Sequence, residues 1–129
     1  MNMNLSRLLT LHALVTVAAG IVLVVVPGVI PGFVGIQVDH QVNLLCYLLG
    51  ASEMSLAALS YFSRKLSDRQ AIRLVCLTFI VFHALTAIVE VYAFRQGASA
   101  RIWANVLVRL IVTGLFFYYG FTQKSVNNQ

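Results

Sequence analysis

Four long apolar runs, separated by three connections, dominate this chain and limit what it can fold into. The runs cover residues 8–30, 44–62, 74–94 and 102–121. About 20 apolar residues in a helix cross roughly 30 Å of hydrocarbon, because each residue advances about 1.5 Å. Of the 129 residues, 60% are hydrophobic and only 10% are charged, which leaves little for a separate soluble domain. The sequence therefore predicts a single transmembrane domain over residues 1–129.

The distribution of basic residues indicates how the spans are oriented. The second connection holds four of them in a short stretch: Arg64, Lys65, Arg69 and Arg73. Cytoplasmic loops of membrane proteins are enriched in Lys and Arg, so we expect this connection, and both termini near Arg7 and Lys124, on the cytoplasmic side. Short connections favour an up-and-down order of helices. The predicted fold is an all-α, integral membrane, antiparallel four-helix bundle in a bacterial inner membrane or an equivalent membrane.

The net charge of +5 and the isoelectric point near 9.7 do not indicate nucleic-acid binding. Most basic residues flank apolar runs and do not alternate with aromatic residues on a soluble face. This distribution favours membrane lipids as partners, because anionic head groups attract Lys and Arg beside a span. We expect no nucleic-acid partner.

Four ionisable side chains within the predicted spans are candidate ligand-binding residues: Glu53, His83, Glu90 and Arg109. A charge near the bilayer centre costs roughly 2.5 to 3.5 kcal/mol, so such residues usually have partners or a function. Counting about 1.5 Å per residue from the ends of the runs places Glu53 and His83 roughly 15 Å deep, near the midplane. The same count places Glu90 and Arg109 about 6 and 9 Å inside the non-cytoplasmic boundary. We therefore expect one contact pair at each level.

Spacing along the third run places its polar residues on one helical face. His83, Thr86, Ala87 and Glu90 follow the i, i+3, i+4, i+7 pattern of such a face. On the second run the residues near Glu53 are small, which permits close helix approach and leaves volume beside the midplane pair. We expect a small-ligand pocket there, in which Glu53 and His83 share a hydrogen bond.

His12 and the two cysteines suggest no cofactor site. By the same count His12 lies about 6 Å deep and differs from His83 by roughly 9 Å, so we interpret it as an interfacial side chain. A haem held by both histidines is not expected. Cys46 and Cys76 lack metal-ligand spacing and are expected to behave as small buried apolar residues. No metal site is predicted, and the cofactor stays unassigned.

Two segments, AAGIVLVVVPGVIPGFVG and LLGASEMSLAALSYFSRK, precede a basic loop and two further apolar runs. This layout resembles that of small DoxX-like four-helix membrane proteins, in which the first span ends in proline and an LLGA segment opens the second. The resemblance implies the same four-helix fold. Some members are linked to quinone-coupled oxidation or are subunits of larger membrane assemblies, which implies a redox or accessory role. It assigns no catalytic residue.

Three functions remain open. In the favoured one, the bundle interior holds a small amphipathic or lipid-like molecule against Glu53 and His83, with Glu90 and Arg109 as further candidate ligands. In the second, the protein is an accessory subunit of a larger membrane complex, or a homo-oligomer, and a pair such as Glu90 with Arg109 only fixes helix register. In the third, it is a membrane-embedded enzyme in which a carboxylate and a histidine transfer protons. No nucleophile or soluble-enzyme motif is present, so the catalytic residues are unknown.

Overall fold

A computed structural model describes residues 4–122, and this part of the chain is helical, with no strand. Its α-helices are α1 (Leu5–Val25), α2 (Val29–Phe33), α3 (Asn43–Ser63), α4 (Arg69–Arg95) and α5 (Ile102–Phe117). A π-helical turn, Tyr118–Thr122, continues α5. Lys124, which the sequence places beside the cytoplasmic boundary, lies outside the described residues.

Four of the helices are long and apolar enough to cross a membrane: α1, α3, α4 and α5 with its π-helical continuation. Many large apolar side chains on these helices are exposed, such as Leu14 at 62% and Phe62 at 72%. In water this exposure would be unfavourable, whereas hydrocarbon removes the cost. The length, composition and outward apolar surface of the helices together indicate a membrane protein.

The ends of α1 follow from local chemistry. Asn4 caps its start, because the Asn4 side chain accepts a hydrogen bond from the Arg7 backbone N–H at 3.0 Å. The helix ends at Val25, shortly before Pro27, whose ring excludes a further helical turn. The predicted span over residues 8–30 thus continues past α1, and its last residues turn into the short helix α2.

The start of α4 lies earlier than the apolar run suggested. The Asp68 carboxylate accepts hydrogen bonds from the backbone N–H groups of Gln70 and Ala71, at 3.3 and 2.9 Å. An aspartate in this position satisfies N–H groups that have no partner within the helix. Consequently α4 begins at Arg69, whereas the apolar run begins at residue 74.

The long helices pack mainly in two pairs, α1 with α3 and α4 with α5. In the first pair Ser60 Oγ donates a hydrogen bond to the Leu9 carbonyl at 2.9 Å. Farther along, Gly20 lies against Gly50, and a Cβ added at Gly50 would be only 2.8 Å from the Gly20 carbonyl oxygen. The backbones of α1 and α3 therefore approach so closely that only glycine fits at this crossing.

The second pair is held by aromatic and small side chains at one end. The rings of Phe79 and Phe116 are 4.9 Å apart, and Gly120 lies directly beside Cys76. Leu8 and Leu9 of α1 complete the same buried cluster, together with Phe79, Phe116 and Cys76. This cluster joins the two helix pairs and sets α1 level with the first half of α4.

Candidate functional site

A continuous set of polar side chains crosses the interior of the helix bundle, and each of the four long helices contributes to it. We call it the polar network; its members, in order of contact, are Asn105, Glu90, Arg109, His83, His12 and Ser60. Hydrogen bonds between helices are a main source of association inside a membrane. The network therefore both links the helices and concentrates the ionisable groups in one place.

The predicted contact between Glu90 and Arg109 is confirmed. Arg109 Nε donates to Glu90 Oε1 at 2.8 Å, and the side chains of Arg109 and Glu90 are only 18% and 16% exposed. Asn105, which lies at the exposed edge of α5, donates its side-chain amide to the same carboxylate oxygen. The ion pair thus lies between α4 and α5 with one polar neighbour at the outer surface.

The second oxygen of Glu90 is the exception in this arrangement. Glu90 Oε2 is buried and has no hydrogen-bond partner among residues 4–122. A buried acceptor without a donor costs roughly 1 to 3 kcal/mol, and more when it is charged. The site therefore has an unused acceptor that a donor from a bound molecule would satisfy.

His83 uses both of its ring nitrogens, but neither contacts Glu53. Nδ1 of His83 lies 3.5 Å from Nη1 of Arg109, and Nε2 lies 3.0 Å from Nε2 of His12. The predicted direct hydrogen bond between Glu53 and His83 is therefore wrong. On its other side, His12 Nδ1 lies 3.1 Å from the Ser60 hydroxyl oxygen.

The partners at each end of the network assign the histidine tautomers. A guanidinium only donates, so Nδ1 of His83 must accept and the proton of this ring lies on Nε2. The Ser60 hydroxyl gives its hydrogen to the Leu9 carbonyl, so it accepts from Nδ1–H of His12. Nε2 of His12 is then free to accept from Nε2–H of His83. Donation runs in one direction, from Arg109 through both rings to Ser60 and Leu9.

The interpretation of His12 as an interfacial side chain is wrong. His12 is 7% exposed, and its ring contacts those of Phe79 and Phe116, with centroids 4.5 and 5.2 Å away. The depth count failed because it started from the ends of apolar runs, whereas the buried cluster that Leu9 shares with Phe79 sets the level of α1. A usable signal was present: His12, Thr16 and Gly20 are four residues apart, all are buried, and the same spacing identified polar faces on the other spans.

Glu53 has the fewest polar contacts of the four predicted residues. It is partly buried on α3 and forms neither a hydrogen bond nor an ion pair within residues 4–122, although it interacts electrostatically with Arg109. Arg109 also contacts His83 and Glu90. The structure thus relates all four predicted residues through one guanidinium, rather than as two separate pairs.

The clearest groove on the surface does not coincide with the predicted pocket. It measures about 260 Å³ and lies between α1 and α3, where its lining includes Leu14, Met54 and Tyr61. Neither Glu53 nor His83 lines it. The small residues near Glu53 are used for helix contact instead, since Gly50 meets Gly20 there.

Neither a metal-binding arrangement nor a similar protein identifies the function of the polar network. No group of three or more His, Cys, Asp or Glu side chains in the described part of the chain is arranged to hold a metal ion. Comparison of the chain with protein-family models, with curated proteins and with solved structures gave no match. The function must therefore be argued from the polar network itself.

Proposed function

We propose that this protein is an antiparallel four-helix membrane bundle that binds a small amphipathic molecule at Glu90 and Arg109, supported by His83 and Glu53. The order of contacts supports the antiparallel arrangement. On α1 and α3, Leu9 meets Ser60 while Gly20 meets Gly50, so the residue numbers run in opposite directions. On α4 and α5, Cys76 lies beside Gly120 and Glu90 beside Asn105, with the same reversal.

We further propose that the connection between α3 and α4 lies in the cytoplasm of a bacterial cell or in an equivalent compartment, with both termini on that side. Its four basic residues carry this proposal. Cysteine labelling tests it, because Cys46 and Cys76 are buried and Ser67 and Gln41 are exposed in different connections. In sealed cells, S67C should stay protected from an impermeant maleimide, while Q41C should react. Labelling of S67C alone would overturn the orientation.

The observation that carries the binding proposal is the unpartnered Glu90 Oε2. A hydroxyl or amine on the head group of a ligand would donate to this oxygen and remove the cost of leaving it unsatisfied. Asn105 bonds to the other oxygen of this carboxylate and is exposed on α5, so displacement of its side chain would admit a molecule from the bilayer between α4 and α5. Its apolar part would remain among exposed side chains such as Val108.

Arg109 has the supporting role in this site. Its Nε–H fixes Oε1 of Glu90, which leaves Oε2 as the free acceptor. His83 holds the far side of the guanidinium, and Glu53 adds a second carboxyl group within its electrostatic reach. Two helices, α4 and α5, thus position one acceptor, as is typical of a preorganised ligand site with few polar groups in an apolar wall.

Native mass spectrometry of the protein released from native nanodiscs tests the proposal. E90Q nearly keeps the shape of the side chain and can still accept from Arg109, but it replaces the free acceptor with an amide donor. The matched control is D39N, which removes a carboxylate from an exposed connection. We expect a small molecule retained by the unchanged protein and by D39N, and lost from E90Q.

Equal retention by E90Q would contradict a site at Glu90. Loss from E53Q with full retention by E90Q would move the site to α3. A stoichiometric protein partner in place of any small molecule would overturn the binding proposal and favour an accessory subunit.

A further inference from the structure

The groove between α1 and α3 is independent of the polar network and has an asymmetric lining. Apart from Tyr61 at one end, the side chains that line it are apolar, among them Leu14, Met54 and Ala58. At about 260 Å³ it is smaller than the roughly 300 to 1,000 Å³ of pockets for drug-sized ligands. From Met54 to Tyr61 it follows α3 for about 10 Å, at about 1.5 Å per residue. These dimensions suit a segment of one hydrocarbon chain.

The Tyr61 end of the groove is electropositive. The guanidinium carbon of Arg64 lies 3.7 Å from the centre of the Tyr61 ring, which holds this cation directly beyond the groove. Lys65, Arg69 and Arg73 follow within the next nine residues of the chain and are exposed. Arg64 thus offers an anion a cation at this end of the groove, and the other three add positive charge to the same connection and the start of α4.

The nearby acidic residue does not cancel this charge at the groove. Asp68 is the acidic side chain of the connection between α3 and α4, and its two carboxylate oxygens accept from the backbone N–H groups that begin α4. Its charge is therefore directed at the helix N-terminus. Arg64 remains available to an anion, since its described contact is with the face of an aromatic ring.

We propose that this groove binds an anionic phospholipid from the leaflet beside the α3–α4 connection, with one acyl chain along Ala58 and the phosphate at Arg64. The two halves of the site match the two halves of such a lipid. A cation at a membrane surface strengthens binding of anionic lipid about fivefold. The site lies at the opposite end of the helices from Glu90 and does not depend on the function proposed above.

The test uses nanodiscs that contain equal amounts of phosphatidylglycerol and phosphatidylcholine, and native mass spectrometry of the lipids that remain bound after release. We expect phosphatidylglycerol to be retained preferentially. R64Q should reduce this preference about fivefold, whereas R101Q, at the other end of the helices, should leave it unchanged. R64Q alters a side chain at the end of a helix, so its effect is separable from folding, which thermal unfolding of each variant verifies.

A second variant tests the acyl-chain half of the site. Ala58 and Ala104 are both exposed alanines on long helices, but only Ala58 lines the groove. A58F should fill the groove and lower retention of phosphatidylglycerol, and A104F should not. Equal retention of the two lipids by the unchanged protein, or equal loss in R64Q and R101Q, would overturn the proposal. Full retention by a folded A58F would overturn the placement of the acyl chain.

Discussion

At the end of the helices that lies away from the α3–α4 connection, the two helix pairs are held together by different means. At the crossing of α1 and α3, Gly20 and Gly50 bring the backbones into contact. At the corresponding end of α4 and α5, an ion pair between Glu90 and Arg109 spans the interface. Lipid tails are as apolar as leucine, so burial of apolar surface does not drive helices together in a membrane. Close packing and polar contact are the two remaining routes, and at this end of the helices α1 and α3 use the first while α4 and α5 use the second.

The two routes have different consequences for function. A glycine crossing buries no ionisable group and leaves no unsatisfied atom. The ion pair leaves Oε2 of Glu90 without a donor, which is the feature that a ligand would use. We therefore expect substitutions at the first interface to change stability alone, and substitutions at the second to change stability and ligand retention together.

The largest expected effect is at the ion pair. R109L leaves a buried carboxylate without its cation, and such a single change typically costs about 3 to 5 kcal/mol. E90Q should also lower the free energy of unfolding, because Arg109 loses its counter-charge. The double variant E90Q/R109L removes both charges and should be more stable than R109L. Thermal unfolding in detergent measures all three, and additive losses would show that the two side chains do not interact.

The glycine crossing should be nearly as sensitive to a single methyl group. G50A places a Cβ against the Gly20 carbonyl, so we expect a loss of about 1 to 3 kcal/mol in the free energy of unfolding. The control is G114A on α5, where an added Cβ has no neighbour within 4 Å. G114A should be neutral or stabilising by up to about 1 kcal/mol. If G50A and G114A behave alike, α1 and α3 do not cross at these glycines.

A moderate effect is expected where the polar network reaches α3. S60A removes the acceptor for His12 Nδ1–H and leaves a buried donor, at a cost of about 1 to 2 kcal/mol. S55A, an exposed serine that bonds only to the Ala51 carbonyl of its own helix, is the control and should change stability by less than about 0.5 kcal/mol. Equal, small effects of the two changes would mean that Ser60 is not part of the network.

The smallest effect is expected at Glu53. Because this side chain makes no hydrogen bond within residues 4–122, E53Q should alter the free energy of unfolding by less than about 0.5 kcal/mol. Thermal unfolding of E53Q and E90Q under the same conditions would compare the contributions of the two carboxyl groups to the free energy of unfolding. A loss as large as that of E90Q would reveal a buried partner for Glu53.

Contacts between helices are predictable from the sequence only where the depths of both residues are measured from the same connection. The depths of Glu90 and Arg109 are both measured from the short connection between α4 and α5. An error in the position of the membrane boundary there changes both depths by the same amount, so their contact is predictable from the sequence. His12 and His83 were counted from the starts of different helices. Asp68 moves the start of α4 to Arg69, and the buried cluster that Leu9 shares with Phe79 then fixes the level of α1. Relative helix level is a tertiary property, which the length of an apolar run does not determine.

Nitrogen-15 NMR of the histidine rings in bilayers tests the central claim, that one directed polar network joins α1 to α4, most directly. We predict a proton on Nδ1 of His12 and on Nε2 of His83, with a scalar coupling between the two Nε2 nitrogens across their 3.0 Å hydrogen bond. His40 lies in an exposed connection and serves as a solvent-accessible reference within the same molecule. In the variant S60A, Nδ1–H of His12 loses its acceptor, so a smaller fraction of His12 should carry its proton on Nδ1. The nitrogen-15 signals of His40 should be unchanged. Absence of the coupling, or a proton on Nε2 of His12, would contradict the account.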